Sequence, residues 1–148
     1  MIPAICFEDT IGNLLRKFIR DEPQLIVNVT NDGWFLETQA SEQHLANAKF
    51  RCAELKRPMA RSANTGVSCF INHLGEIPTE GSFEARIQDI ESGSTFVTGT
   101  LPYNVSLLKN PPTTIYAQVG DLFSKACLAL AGLWLLLRLL LKRNSPTS

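Results

Sequence analysis

Pro3-Ala4-Ile5-Cys6-Phe7 and, further on, Leu25-Ile26-Val27-Asn28-Val29 are short apolar runs, and what joins them decides the fold. The second run is continuous and rich in β-branched residues, as in a strand buried on both faces. Between them, Asp9-Thr10 can cap a helix over 10–20, whose Ile11, Leu14, Leu15, Phe18 and Ile19 share one helical face. Asp21-Glu22-Pro23 stops that helix. Strand, helix, strand at this spacing is a βαβ unit, for which a right-handed crossover is expected. The fold class is therefore α/β.

Working outward, Asn31-Asp32-Gly33 turns the chain, and a second helix fits 40–56 with Leu45, Ala48, Cys52 and Leu55 as its apolar stripe. Pro58 ends it, and strands follow near 59–63 and 67–72. The turn His73-Leu74-Gly75-Glu76 leads to further strands over 84–90 and 95–101. Residues 102–121, with Pro102, Pro111 and Pro112, read as an irregular connection. No internal repeat or low-complexity block is present.

Leu122 to Leu141 reads LFSKACLALAGLWLLLRLLL. At about 1.5 Å per residue this spans roughly 30 Å, the thickness of a bilayer's hydrocarbon. Lys125 and Arg138 lie near its ends, where long basic side chains can snorkel to the headgroups. Its uninterrupted apolar core, Ala126 to Leu137, also has a length compatible with a buried helix. The spanning length favours a transmembrane helix, and Lys142-Arg143 then place the C-terminus in the cytoplasm and the preceding domain outside.

Lys+Arg and Asp+Glu number 14 each, so no charge excess points to nucleic acid. Cys6, Cys52, Cys69 and Cys127 show no CxxC spacing, which argues against a zinc site and a disulfide framework. Neither metal nor cofactor is expected. The start Met1-Ile2-Pro3-Ala4-Ile5-Cys6 carries no signal-peptide pattern, which for a chain with a membrane tail suggests an upstream portion.

Cys52 and Cys69 read as packing residues and Cys127 as a membrane-helix residue. Cys6 differs, because it ends a buried strand just before a helix, where an elbow presents a nucleophile and helical N–H groups favour the thiolate. Ile5-Cys6-Phe7-Glu8 resembles the nucleophile motif of the carbon–nitrogen hydrolase (nitrilase) superfamily. Asn28-Val29-Thr30-Asn31-Asp32-Gly33-Trp34-Phe35 resembles its next signature, with the aromatic pair of the apolipoprotein N-acyltransferase branch. Gln43-His44-Leu45, Ala48, Arg51, Glu54, Arg57-Pro58, Arg61 and Asn64-Thr65-Gly66 follow in the order of that branch. So do Asn72, Leu74-Gly75-Glu76-Ile77, Tyr116 and Gly120-Asp121 before the apolar tail. Gln118 stands where an Arg is common, and Leu36 where a Gly is frequent.

The resemblance implies half of a four-layer αββα sandwich: residues 1–101 as its nucleophile half, 102–121 as a connection, 122–141 as a transmembrane helix and 142–148 as a cytoplasmic tail. It implies a Cys6 thiolate that takes an acyl group from a phospholipid. The acyl group then passes to the α-amine of a diacylglyceryl-modified apolipoprotein at a bacterial inner membrane. Splitting the transfer through a thioester divides one difficult step into two easier ones. The backbone N–H of Phe7 is the expected oxyanion donor. Glu8 reads as a supporting carboxylate or as an ordinary residue of the helix start. Trp34 and Phe35 read as a lid over lipid chains rather than plain core. His44 reads as a helix-face residue contacting the neighbouring loop, and Arg51, Arg57 and Arg61 as solvated or structurally ion-paired residues rather than phosphate ligands. The base Glu and oxyanion Lys that the branch uses lie upstream of its Cys, so the 148 residues alone are expected to be inactive and poorly folded. The rival readings are a nitrilase- or amidase-type hydrolase and an inactive membrane-anchored remnant.

Overall fold

The computed structural model describes residues 1–36 and 38–143, apart from the side chains of Lys142 and Arg143. The expected basic flank and the tail 142–148 thus fall, as side chains or entirely, outside the described residues. Strand β1 is Ile2–Ile5, β2 is Ile26–Thr30, β3 is Met59–Ala63 and β4 is Cys69–Ile71. They form one mixed sheet in the order β1-β2-β3-β4, with β1 and β2 parallel, β2 and β3 parallel, and β3 and β4 antiparallel.

Alternation sorts the strands' side chains onto two faces. Ile2, Ala4, Ile26, Asn28, Thr30, Met59, Arg61, Cys69 and Ile71 are buried beneath helix α2, which runs Ala40–Leu55. The stripe read from sequence, Leu45, Ala48, Cys52 and Leu55, packs on that face. On the opposite face Ile5 and Val29 are exposed, and Phe70 stacks on Tyr103 at 5.1 Å. A cavity of about 520 Å³ on that side is lined in part by Val27, Ala60, Phe70, Ile87, Val97 and Leu101.

Several expectations are corrected. The helix over 10–20 is broken into a 3-10 turn at Cys6–Thr10, a single helical turn α1 at Gly12–Leu15 and a second 3-10 turn at Arg16–Phe18. Ile11 leaves the helical region (φ −101°, ψ 81°), and of the expected apolar face only Leu15 is fully buried. Asp9 is not a helix cap; it is completely buried and ion-paired. The segment 84–90 makes an isolated bridge from Arg86 to Cys69, beside a small hairpin of β5 (Thr79–Glu80) and β6 (Phe83–Glu84), and 95–101 forms no strand. The connection over 102–121 contains a short helix, α3, at Ile115–Val119.

Two polar anchors fix this connection. Arg57 is buried at the C-terminus of α2 and donates to the carbonyls of Arg20, Leu55, Lys56 and Pro112. Asp121 accepts from Asn13 and from the Tyr116 hydroxyl, while Arg16 donates to the carbonyls of Ala117 and Gln118. A Cβ at Gly12 would meet the ends of the Arg51 and Tyr116 side chains, so the glycine lets both lie close. Helix α4, Leu122–Arg143, leaves directly from this joint, with none of its apolar span buried against the rest of the chain. It is long and apolar enough to cross a membrane.

Among the described residues, three other than glycine have positive φ: Cys6, Leu36 and Lys56. Lys56 is the left-handed C-cap of α2, an ordinary place for that conformation. Leu36, at φ 51° and ψ −157°, lies near a region used almost only by glycine, and its side chain is largely exposed. Leu36→Gly therefore relieves strain at little packing cost. The expected gain is about 1 kcal/mol, read as a rise in the chemical-denaturation midpoint in detergent; an unchanged or lower midpoint refutes it.

Candidate functional site

The chain leaves β1 at Ile5 and turns at once, with Cys6 at φ 51°. This conformation is costly for a residue with a Cβ. The turn is capped by Glu8, whose Oε2 accepts from the Ile5 N–H at 2.8 Å, and by the Thr10 hydroxyl, which donates to the Phe7 carbonyl at 2.7 Å. Glu8 thus folds back onto its own turn. The Asn28 amide donates to the carbonyls of Ala4 and Cys6, each at 3.3 Å.

The Cys6 thiol is partly exposed, and its pKa is lowered. The largest cause is a hydrogen bond from the Thr30 hydroxyl; desolvation opposes it, and the N–H groups of Asn31 and Phe7 and the charge of His44 add to it. Its buried counterparts behave in the opposite way. Desolvation pushes Cys69 up to about 12 and raises Cys52 still further, so both stay thiols. Of the three, Cys6 alone has donors arranged for a thiolate.

Beneath Cys6 lies a buried ionic cluster that spacing in the sequence did not reveal. His44 Nε2 meets Asp9 Oδ1 at 2.9 Å and His44 Nδ1 meets Asp32 Oδ1 at 2.8 Å. Arg61 Nη1 meets Asp9 Oδ2 at 2.6 Å and Arg61 Nη2 meets Asp32 Oδ2 at 3.1 Å. Arg61 Nη1 also donates to Asn28 Oδ1 at 2.7 Å. The Thr30 hydroxyl lies 2.9 Å from Asp32 Oδ1. Its single proton can serve either that carboxylate or the Cys6 sulfur, which couples the cluster to the thiol.

Desolvation alone would keep His44 neutral, but its bonds to Asp32 and Asp9 outweigh that penalty and the nearby Arg61, raising its pKa to about 9. For Asp32, desolvation is likewise the largest effect, yet His44, Arg61 and Thr30 together bring its pKa below the ordinary value. The cluster thus favours the charged forms of both His44 and Asp32.

Trp34 and Phe35 follow on a short 3-10 turn, Asp32–Phe35, in which Asn31 Oδ1 accepts from the Gly33 N–H. Trp34 is 86% exposed, whereas Phe35 packs edge-on against Phe7 at 5.9 Å. Phe7 stacks on the His44 ring at 4.6 Å. Cys6, Phe7, Glu8 and Phe35 thus come together above the cluster, and Trp34 points away into solvent. His44 contacts the loop after β1, and Arg61 and Arg57 are buried structural residues. Arg51 pairs with Glu54.

Cys6 thus stands in a left-handed turn at the end of a parallel strand, over an α/β core. The carbon–nitrogen hydrolase family matches residues 2–95, and the chain belongs to that family. It is also similar to apolipoprotein N-acyltransferase 2 of Leptospira interrogans, 33% identical over 99% of this chain and 23% of the relative. The apolipoprotein N-acyltransferase of Bradyrhizobium diazoefficiens is 37% identical over 97% of this chain and 24% of its own length. That of Pasteurella multocida is 33% identical over 93% and 22%. The chain spans about a quarter of the length of these relatives.

The protonated His44 links stability to pH. Its pKa is raised above the usual unfolded value of about 6.5, so its contribution is complete below pH 6.5 and is lost as pH rises through about 9. Asp32, shifted downward, contributes above about pH 4 and loses that contribution as pH falls through its folded pKa. The denaturation midpoint should therefore decline between pH 6.5 and 9, and His44→Gln should flatten that decline while lowering stability at pH 6. A wild-type midpoint constant across the interval would show that His44 is neutral.

Proposed function

We propose that this chain carries the nucleophile of an apolipoprotein N-acyltransferase. The observation that carries the reading is the left-handed turn that presents Cys6 at the end of β1, over the buried Asp9, Asp32, His44 and Arg61 cluster; its lowered pKa agrees with it. Similarity to apolipoprotein N-acyltransferases along nearly the whole chain, including α4, supports it.

The Cys6 thiolate attacks the carbonyl carbon of a phospholipid acyl ester. The tetrahedral intermediate collapses to a thioester, and the lysophospholipid oxygen leaves with a proton. The α-amine of a diacylglyceryl-cysteine then attacks the thioester; an amide forms, the thiolate departs and the amine loses a proton. The Phe7 N–H supports the oxyanion in both steps. The base Glu and the oxyanion Lys come from protein outside these 148 residues. The uncovered sheet face, with Ile5 and Val29 exposed, is the natural seat for the other half of an αββα sandwich. Trp34 and Phe35 contact lipid chains, and Glu8 holds the elbow from its outer side.

Residues 122–141 span the bacterial inner membrane. The basic pair Lys142-Arg143 sets the orientation, with the catalytic domain on the periplasmic side. A reporter fused after Ser148 should be active as a cytoplasmic enzyme and silent as alkaline phosphatase; the opposite pattern reverses the topology.

The chemistry is tested in the intact protein, purified from membranes in detergent. Incubation with a phospholipid labelled in its acyl chain should give a hydroxylamine-sensitive labelled protein, and a diacylglyceryl peptide should discharge the label. Cys6→Ala should abolish labelling, whereas Cys69→Ala should keep it. Label retained in Cys6→Ala removes Cys6 from the reaction. Discharge by water alone, with the peptide left unacylated, would make the protein a hydrolase.

A further inference from the structure

Asn28 sits in the middle of β2, fully buried, at a position where the strand's neighbours are β-branched and apolar. A primary amide there is desolvated, and is tolerated only if its bonding capacity is met. It is met completely. The two amide hydrogens go to the carbonyls of Ala4 and Cys6, and Oδ1 accepts from Arg61 at 2.7 Å.

The location of these bonds matters more than their number. In the parallel register Ala4 lies opposite Asn28, and β1 ends one residue later. Past that point the chain departs from the sheet, and the Cys6 carbonyl has left the ladder that would have satisfied it. The Asn28 side chain takes over from the backbone there and holds both carbonyls, one on each side of the departure. Arg61, fixed in turn by Asp9 and Asp32, keeps the amide from rotating away.

We propose that Asn28 is a positioning residue for the nucleophile: pinned by Arg61, its amide grips the carbonyls of Ala4 and Cys6 and locks the left-handed turn that aims the Cys6 sulfur. The proposal rests on Cys6 being the nucleophile. When the grip is lost, Cys6 relaxes toward an ordinary backbone conformation. Its sulfur then moves away from the Thr30 hydroxyl and from the Asn31 and Phe7 N–H groups. The charged groups that still face it, His44 and beyond it Asp9, Asp32 and Arg61, stay in place.

The test is a pair of nearly isosteric variants in the intact protein. Asn28→Val removes every polar contact, whereas Asn28→Thr keeps one hydroxyl that can donate to a carbonyl and accept from Arg61. Two quantities are read: the pH midpoint of Cys6 alkylation by iodoacetamide, followed on the Cys6 peptide by mass spectrometry, and the rate and KM of acyl-enzyme formation from mixed micelles of phosphatidylethanolamine and phosphatidylglycerol. In Asn28→Val the midpoint should rise by about one pH unit, which lowers the thiolate fraction and the acylation rate roughly tenfold at neutral pH, with KM unchanged. Asn28→Thr should fall between Asn28→Val and wild type. A folded Asn28→Val with the wild-type midpoint overturns the proposal, as does Asn28→Thr behaving no better than Asn28→Val. If Asn28→Val does not fold, Asn28→Thr decides alone: an intermediate midpoint supports the proposal and a wild-type one refutes it. The alkylation midpoint speaks to Asn28 whatever Cys6 does in catalysis, while label retained in Cys6→Ala would strike the nucleophile assignment instead.

Discussion

The buried pairing of Arg61 with Asp9 and Asp32, closed on its other side by His44, is the constraint around which the Cys6 turn is built. Its four members come from four separate elements: the turn after β1, the turn after β2, helix α2 and strand β3. No two elements can shift without separating charges that have no water to turn to. Removing one partner from such a cluster typically costs about 3–5 kcal/mol, because the remaining charge is left buried and unpaired. A hydrophobic replacement of the whole set could be as stable. What it could not do is hold Asn28 and Thr30 in register with the carbonyl and the sulfur of Cys6.

The cluster also explains how a strained residue persists. Left-handed Cys6 is unfavourable on local grounds, and local sequence offers only the Glu8 and Thr10 caps against it. The decisive restraints come from positions far along the chain, through Asn28 on β2 and Arg61 on β3. Strain at Cys6 is thus sustained by long-range burial. The elbow should form only after β1, β2 and β3 have assembled.

This division marks what the sequence could reveal. The strands β1, β2 and β3 and helix α2 with its stripe follow from apolar periodicity, and Cys6 at a strand's end was legible for the same reason. The turn residue Leu36 was visible as a departure from glycine, and the structure gives the cause in its φ and ψ. Asp9 was misread as a cap because a carboxylate ahead of an apolar periodic segment looks the same whether it faces solvent or a buried arginine. The helix over 10–20 failed because its apolar positions have no common surface to meet, and Gly12 is used for close approach to Arg51 and Tyr116. The segment 84–90 alternates like a strand, but β4 is only three residues long, and the pairing shrinks to one bridge. His44 and Arg61 were legible as structural residues; their shared partners were not, since nothing in spacing joins 9, 32, 44 and 61.

The joint at the base of α4 carries the same logic toward the membrane. Asp121, one residue before α4, is bonded to Asn13 and Tyr116, and Arg16 holds the last carbonyls of α3. Asn13 and Arg16 belong to the segment that directly follows the Cys6 turn. The apolar helix is therefore not tethered by a loose linker. It starts from a polar contact to the very segment that leads away from Cys6, with Gly120 supplying the positive-φ bend on which a Cβ would strike Asn13 and Arg16. If α4 lies in a bilayer, its depth fixes the height of Cys6 above the headgroups to within the give of those few hydrogen bonds. On the proposed function the Cys6 thiolate meets an ester at the edge of the acyl chains, and that height then belongs to the geometry of the site as much as the direction of the sulfur does.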